Sequence, residues 1–84
     1  MNIRKQNYGD CNVTGKTIEK LRKERGIAQK DFIAQLQANG LDINPTSYSK
    51  LEGQLRQIND RELFVISKIL KVRIEDLYNK DALL

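Results

Sequence analysis

A chain of 84 residues carrying a net charge of +4, with a pI near 9.4, makes one domain. It can bury only about 60–65% of its unfolded surface, which leaves little room for a bound cofactor. Histidine and tryptophan are absent and Cys11 is the lone cysteine, so the commonest general base, an intramolecular disulfide and a cysteine-rich metal site are all excluded. Neither catalysis, a cofactor nor a metal is expected. No signal-peptide pattern and no bilayer-length apolar run is present, so the expectation is a soluble, cytoplasmic protein with no membrane partner.

The charge is uneven. Residues 1–26 hold seven of the fifteen Lys and Arg but three of the eleven Asp and Glu, so the whole positive excess sits at the N-terminal end. Such a bias suits a nucleic-acid contact, and it equally suits a soluble basic surface.

Residues 1–13 show no sustained period and are expected as an irregular arm. Its Arg4 and Lys5 are placed to reach phosphates or a minor groove, although a frayed terminus fits the same residues. A first helix follows over Thr14 to Arg25, with Ile18 and Leu21 on one face and Gly26 as a left-handed C-cap. The second runs from Gln29 to about Ala38, its buried side marked by Phe32, Ile33 and Leu36. Asn39-Gly40 ends it in a turn, and Leu41-Asp42-Ile43 leads on, with Ile43 placed as a hydrophobic staple.

The most informative stretch is Asn44 to Gly53. Asn44 is a good N-cap and Pro45 suits the first helical position. Tyr48, Leu51 and, past the end, Leu55 recur at the spacing of a buried stripe. Thr46, Ser47, Ser49 and Lys50 are left outward: small or flexible hydrogen-bonding groups with one cation and no carboxylate, as suits a surface lying against phosphates and base edges. The same residues fit an ordinary amphipathic helix with a solvated face. Beyond a short connection, Asn59 and Glu62 form a capping-box signature, and Leu63, Ile66, Ile69 and Leu70 mark a fourth helix ending near Lys71. Arg73 to about Asn79 is expected as a last helical turn or two, closed by Leu77, before a short tail at 80–84. The expected fold is all-α with five helices.

The fragments Ile18-x-x-Leu21-Arg22-Lys23-x-x-Gly26-Ile27-x-Gln29, Ile43-Asn44-x-Thr46-x-Tyr48-Ser49-Lys50-Leu51-Glu52, Arg56-x-Ile58-x-Asp60-x-Glu62-Leu63, and Ile69-Leu70-x-Val72 with Asp76-Leu77-Tyr78 stand in a telling order. With them the chain resembles the Cro/repressor-type, or xenobiotic-response-element-type, helix-turn-helix DNA-binding family over about residues 15–78. The resemblance implies a compact lambda-repressor-like domain over 14–79, whose third helix enters the major groove. It assigns base reading to Pro45, Thr46, Ser49 and Lys50, and phosphate contact to Gln29, Ser47 and Arg56. It also matches Arg22 and Glu52 to an ion pair bridging the first helix to the third; for Arg22 a phosphate contact stays open as well.

Four features depart from the family pattern. Ala28 stands where a capping residue is usual, and the turn from Gln37 to Ile43 is longer than usual. Gly53 comes one place early, and Pro45 removes a hydrogen-bonding side chain from a reading position.

The function expected on this resemblance is sequence-specific binding of double-stranded DNA by a transcriptional regulator, most simply a repressor, acting as a homodimer on an inverted repeat. The alternative is a module for a protein partner, such as an antitoxin that binds a toxin and also regulates its own operon.

Overall fold

The computed structural model describes residues 9–78, and over these the protein is all-helical. Four α-helices follow in order: α1 (Gly15–Glu24), α2 (Gln29–Ala38), α3 (Pro45–Glu52) and α4 (Asp60–Leu70). The expected fifth helix is instead a single 3-10 turn, Ile74–Leu77. Only Leu77 of that turn is buried, while Ile74 is 40% exposed, and one apolar anchor cannot offset the cost of nucleating a longer α-helix. The expected tail at 80–84 lies outside the described residues, as do Arg4 and Lys5.

Local chemistry sets the ends of the helices. Gly26 (φ +69°) and Gly40 (φ +94°) let the chain turn left-handed after α1 and α2. In each case the residue after the glycine donates its N–H back to the last turn, from Ile27 to Arg22 O and from Leu41 to Leu36 O, which satisfies carbonyls that would otherwise be orphaned. Asn44 caps α3 by accepting from Ser47 N at 2.8 Å, with Pro45 in the first turn. Asn59 and Glu62 cap α4 reciprocally.

The core is continuous across all four helices, from Ile18 of α1 through Phe32 and Leu36 of α2 and Tyr48 and Leu51 of α3 to Ile66 and Leu70 of α4. The rings of Phe32 and Tyr48 lie 5.7 Å apart and tilted by 59°, a favourable edge-inclined contact that joins α2 to α3. The long connection between these helices is not loose. Leu41 and Ile43 are both buried in the core, and Gln37 Nε2 donates to Ile43 O at 2.8 Å. Leu55, expected on the buried stripe of α3, is 57% exposed. Gln54 adopts φ 60°, so the helical period stops one residue earlier and Leu55 turns outward.

Residues 9–13 form no helix, but they are joined to the domain. Gly9 N donates to Gly53 O at 2.7 Å and Cys11 N to Gln54 O at 2.9 Å. Asn12 links two helix ends: its Oδ1 accepts from Gly15 N at the start of α1, while its Nδ2 donates to Leu51 O at the end of α3 and to Arg56 O. Part of the stretch expected as an arm, residues 9–12, is thus hydrogen-bonded to the helical domain.

At this junction α1 and α3 approach closely. A Cβ on Gly15 would sit 2.2 Å from Leu51 O, which backbone cannot accommodate without moving apart. Gly15→Ala should therefore cost about 1–3 kcal/mol of stability despite alanine's better helix propensity, as measured by urea unfolding.

Candidate nucleic-acid interface

The candidate interface is arranged around a buried carboxylate. Glu52, the last residue of α3, is 3% exposed and receives hydrogen bonds from three helices. From α1, Arg22 donates through Nε to Oε2 at 2.7 Å and through Nη2 to Oε1 at 3.2 Å. From α2, the Gln29 side-chain amide donates to Oε1 at 3.2 Å. One turn back in α3, the Tyr48 hydroxyl donates to Oε2. Arg22, itself 6% exposed, sends its remaining terminal nitrogen to Ile27 O at 2.7 Å.

A buried pair is tolerated only when each partner's hydrogen-bonding capacity is filled, and here the planar fork of Arg22 and the carboxylate of Glu52 fill one another. Hydrogen bonding to Glu52 holds the Arg22 guanidinium above its ordinary range in spite of desolvation. Arg22 is thus occupied inside the fold, and of its two open roles the structure displays the ion pair.

Above this platform lies the outer face of α3. Pro45, Thr46, Ser49 and Lys50 are exposed and Ser47 is half-buried. Ser49 Oγ lies 3.5 Å from Gln29 Oε1, so the start of α2 and the middle of α3 present one continuous polar surface. No side chain caps α2 at Ala28, which leaves the start of that helix without the competing oxygen that a serine or threonine would supply. The Glu52 carboxylate is buried and paired, so its charge is not presented on this face, whereas Asp31 in the first turn of α2 is exposed.

Of the residues expected on phosphates, the structure gives Gln29 a half-buried place bonded to Glu52 and puts Ser47 in the first turn of α3. Arg56 does not reach outward as a clamp. Its Nη1 and Nη2 grip Glu62 at 3.0 and 2.9 Å, its Nε donates to Ser47 O at 3.0 Å, and Nη1 also donates to Gln57 O. A carboxylate in the capping box of α4, six residues away, competes for the guanidinium that the resemblance assigns to a phosphate.

Sequence reasoning missed Asn12 and the Arg56–Glu62 pair. The capping-box pattern identifies Glu62 as a helix cap, but nothing in linear spacing says that its oxygens also receive an arginine. Asn12 sits in a stretch without periodicity, and beyond Gly15 N, three residues on, its side-chain partners are 39 and 44 residues distant.

Among the described residues no cluster of acidic, cysteine or histidine side chains is arranged to hold a metal, and no helix is long and apolar enough to cross a membrane. Comparison with family models, curated proteins and solved structures found no match.

Two outcomes test the platform. Glu52→Gln removes the charge that Arg22 faces and should destabilise by about 3–5 kcal/mol in urea unfolding, whereas the apolar pair Arg22→Met/Glu52→Leu should recover part of that loss. The second concerns alkali. Burial, and then the Glu52 charge, push the Tyr48 hydroxyl far above its ordinary value of 10.0. The folded state therefore keeps a proton that the unfolded chain releases. Stability from this group is complete below pH 10 and falls as pH rises further, by about 1.4 kcal/mol per pH unit. The difference in unfolding free energy between the protein and Tyr48→Phe should narrow with that slope above pH 10; parallel curves would show that Tyr48 ionises freely in the fold.

Proposed function

We propose that the protein is a sequence-specific, double-stranded-DNA-binding regulator of lambda-repressor-like architecture, most simply a repressor that occupies an operator. The observation that carries this reading is the outer face of α3: exposed Thr46, Ser49 and Lys50 with no carboxylate among them, on a helix whose inner end is fixed by the buried Glu52 hub. Base readout needs donors and acceptors held rigidly at a spacing that matches base edges, and a helix locked to two neighbours supplies that.

In this reading Lys50 donates to guanine O6 and N7, while Thr46 offers a methyl to thymine or a hydroxyl to several bases. Ser49 supplies a rotatable hydroxyl, and the Pro45 ring makes apolar contact. The start of α2 and the Gln29 amide approach one phosphate, Ser47 another, and the exposed lysines Lys16 and Lys20 of α1 add sequence-independent attraction. One such domain covers a single half-site. A homodimer would set two α3 helices about 34 Å apart, one DNA turn, on an inverted repeat.

A second reading, a module for a protein partner such as a toxin, is favoured by a separate feature. Phe64 and Ile74 are 54% and 40% exposed and line one shallow cleft with Asp60 and Arg61.

Selection from a random duplex pool separates the two. Enrichment of an inverted repeat, with affinity that falls steeply as salt rises, supports the regulator; failure to enrich any sequence at low salt removes it and favours the protein partner. On the enriched site, Lys50→Ala should weaken binding by about 1–3 kcal/mol and should cost much less on scrambled DNA.

A further inference from the structure

We infer that Arg56 and Glu62 form a positioning strut that fixes the angle of α3 against α4, and hence which base edges Thr46, Ser49 and Lys50 meet. This inference rests on the DNA-reading proposal for its consequence, though not for its geometry.

The need for a strut follows from the packing. α3 is eight residues long and packs against α1 and α2, while no comparable packing joins it to α4. Its inner end is held twice, at Glu52 by Arg22 and Gln29 and at Leu51 O by Asn12. Its outer end is steadied by Gln37 of α2 on Ile43 O, and one side by Phe32 of α2 against Tyr48. These contacts are to α1 and α2; Arg56 supplies a polar tie to α4. Its Nε donates to Ser47 O, in the outer half of α3 and more than a turn from Glu52, and its two terminal nitrogens grip both oxygens of Glu62.

Glu62 is itself immobilised. Its Oε1 also accepts from Asn59 N, and its backbone N–H is held by Asn59 Oδ1. The strut therefore runs from the body of α3 through a planar guanidinium to the cap of α4. The backbone that carries the guanidinium is tied down as well, because Arg56 O accepts from Asn12 Nδ2 at 2.8 Å.

Electrostatics separate this role from a phosphate contact. The Arg56 and Glu62 side chains are 23% and 11% exposed, so the pair approaches DNA as a neutral unit. Transferring Arg56 to a phosphate would strand the Glu62 carboxylate, mostly buried and deprived of its fork. A strut needs the planar fork, which lysine lacks; a phosphate contact needs only the positive charge, which lysine keeps.

The test compares Arg56→Lys, Arg56→Gln, Glu62→Gln and Arg56→Gln/Glu62→Gln with the unaltered protein. Each is measured on the duplex recovered by selection and on a scrambled duplex across a salt series, with a cooperative thermal transition confirming the fold. A strut predicts that Arg56→Lys loses specificity as Arg56→Gln does, with the ratio of specific to scrambled affinity falling on the order of tenfold. Glu62→Gln falls similarly, the double variant falls no further than either single one, and the salt slope stays put.

The inference is overturned if Arg56→Lys binds like the unaltered protein while Arg56→Gln lowers the salt slope by about one, or if Glu62→Gln tightens binding to both duplexes. If Arg56→Gln does not fold, Arg56→Lys and Glu62→Gln decide alone. If the unaltered protein enriches no sequence, the DNA reading fails on its own, and amide exchange then decides the strut. Faster exchange confined to α3 in Arg56→Lys supports it, and unchanged α3 exchange overturns it.

Discussion

The carboxylate of Glu52 is where three helices are joined, and its burial is the constraint to which the rest of the structure answers. A charge enclosed in apolar surroundings is strongly unfavourable unless its hydrogen-bonding directions are filled. Arg22, Gln29 and Tyr48 fill them, one from each of α1, α2 and α3. Because hydrogen bonds are directional, this arrangement fixes orientation as well as proximity. An apolar contact at the same place would hold the helices together while letting them slide, and a helix that slides cannot present side chains in a fixed register to anything outside.

The attachments of α3 divide between its two ends and differ in kind. The inner end is fixed by a desolvated ion pair, where geometry is enforced by the penalty for leaving a buried charge unmatched. The outer half is reached by the Arg56–Glu62 bridge at the rim, where water can compete and each bond is weaker. α3 is thus attached toward both ends, and Thr46, Ser49 and Lys50 are carried on the exposed face of a helix held at each.

Residues 9–12 show how the ends of two helices can satisfy one another without a strand or a third helix. The last carbonyls of α3 and the first amide of α1 each lack an intrahelical partner, and the side chain of Asn12 serves both. Gly15 allows the two ends to come near enough for this, because any side chain there would collide with Leu51 O. The same junction brings Gln54 into a left-handed conformation at the position after Gly53, and the Gln54 side chain is anchored to Asn12 O at 2.7 Å.

Helix positions, caps and most of the core were readable from the sequence, because these follow from interactions between residues three or four apart. Asn44-Pro45 starts α3, Asn59 and Glu62 start α4, Gly26 and Gly40 end their helices, and the apolar spacing selects Ile18, Phe32, Leu36, Tyr48, Leu51, Ile66 and Leu70 as buried. The Arg22–Glu52 contact came into view only through resemblance to a family pattern, since nothing local relates residues thirty apart.

What the tertiary structure alone decided is how the polar side chains share partners. Arg56 had a carboxylate within reach as soon as the capping box of α4 was built beside it. Leu55 was turned outward by the backbone at Gln54, the last segment had too little apolar surface to become a fifth helix, and Asn12 found its partners across the fold. Local chemistry determines where each helix begins and ends. Competition for a hydrogen bond or an ion pair depends on which groups the completed fold has brought within about 3 Å of one another, and that distance is written nowhere in the order of residues.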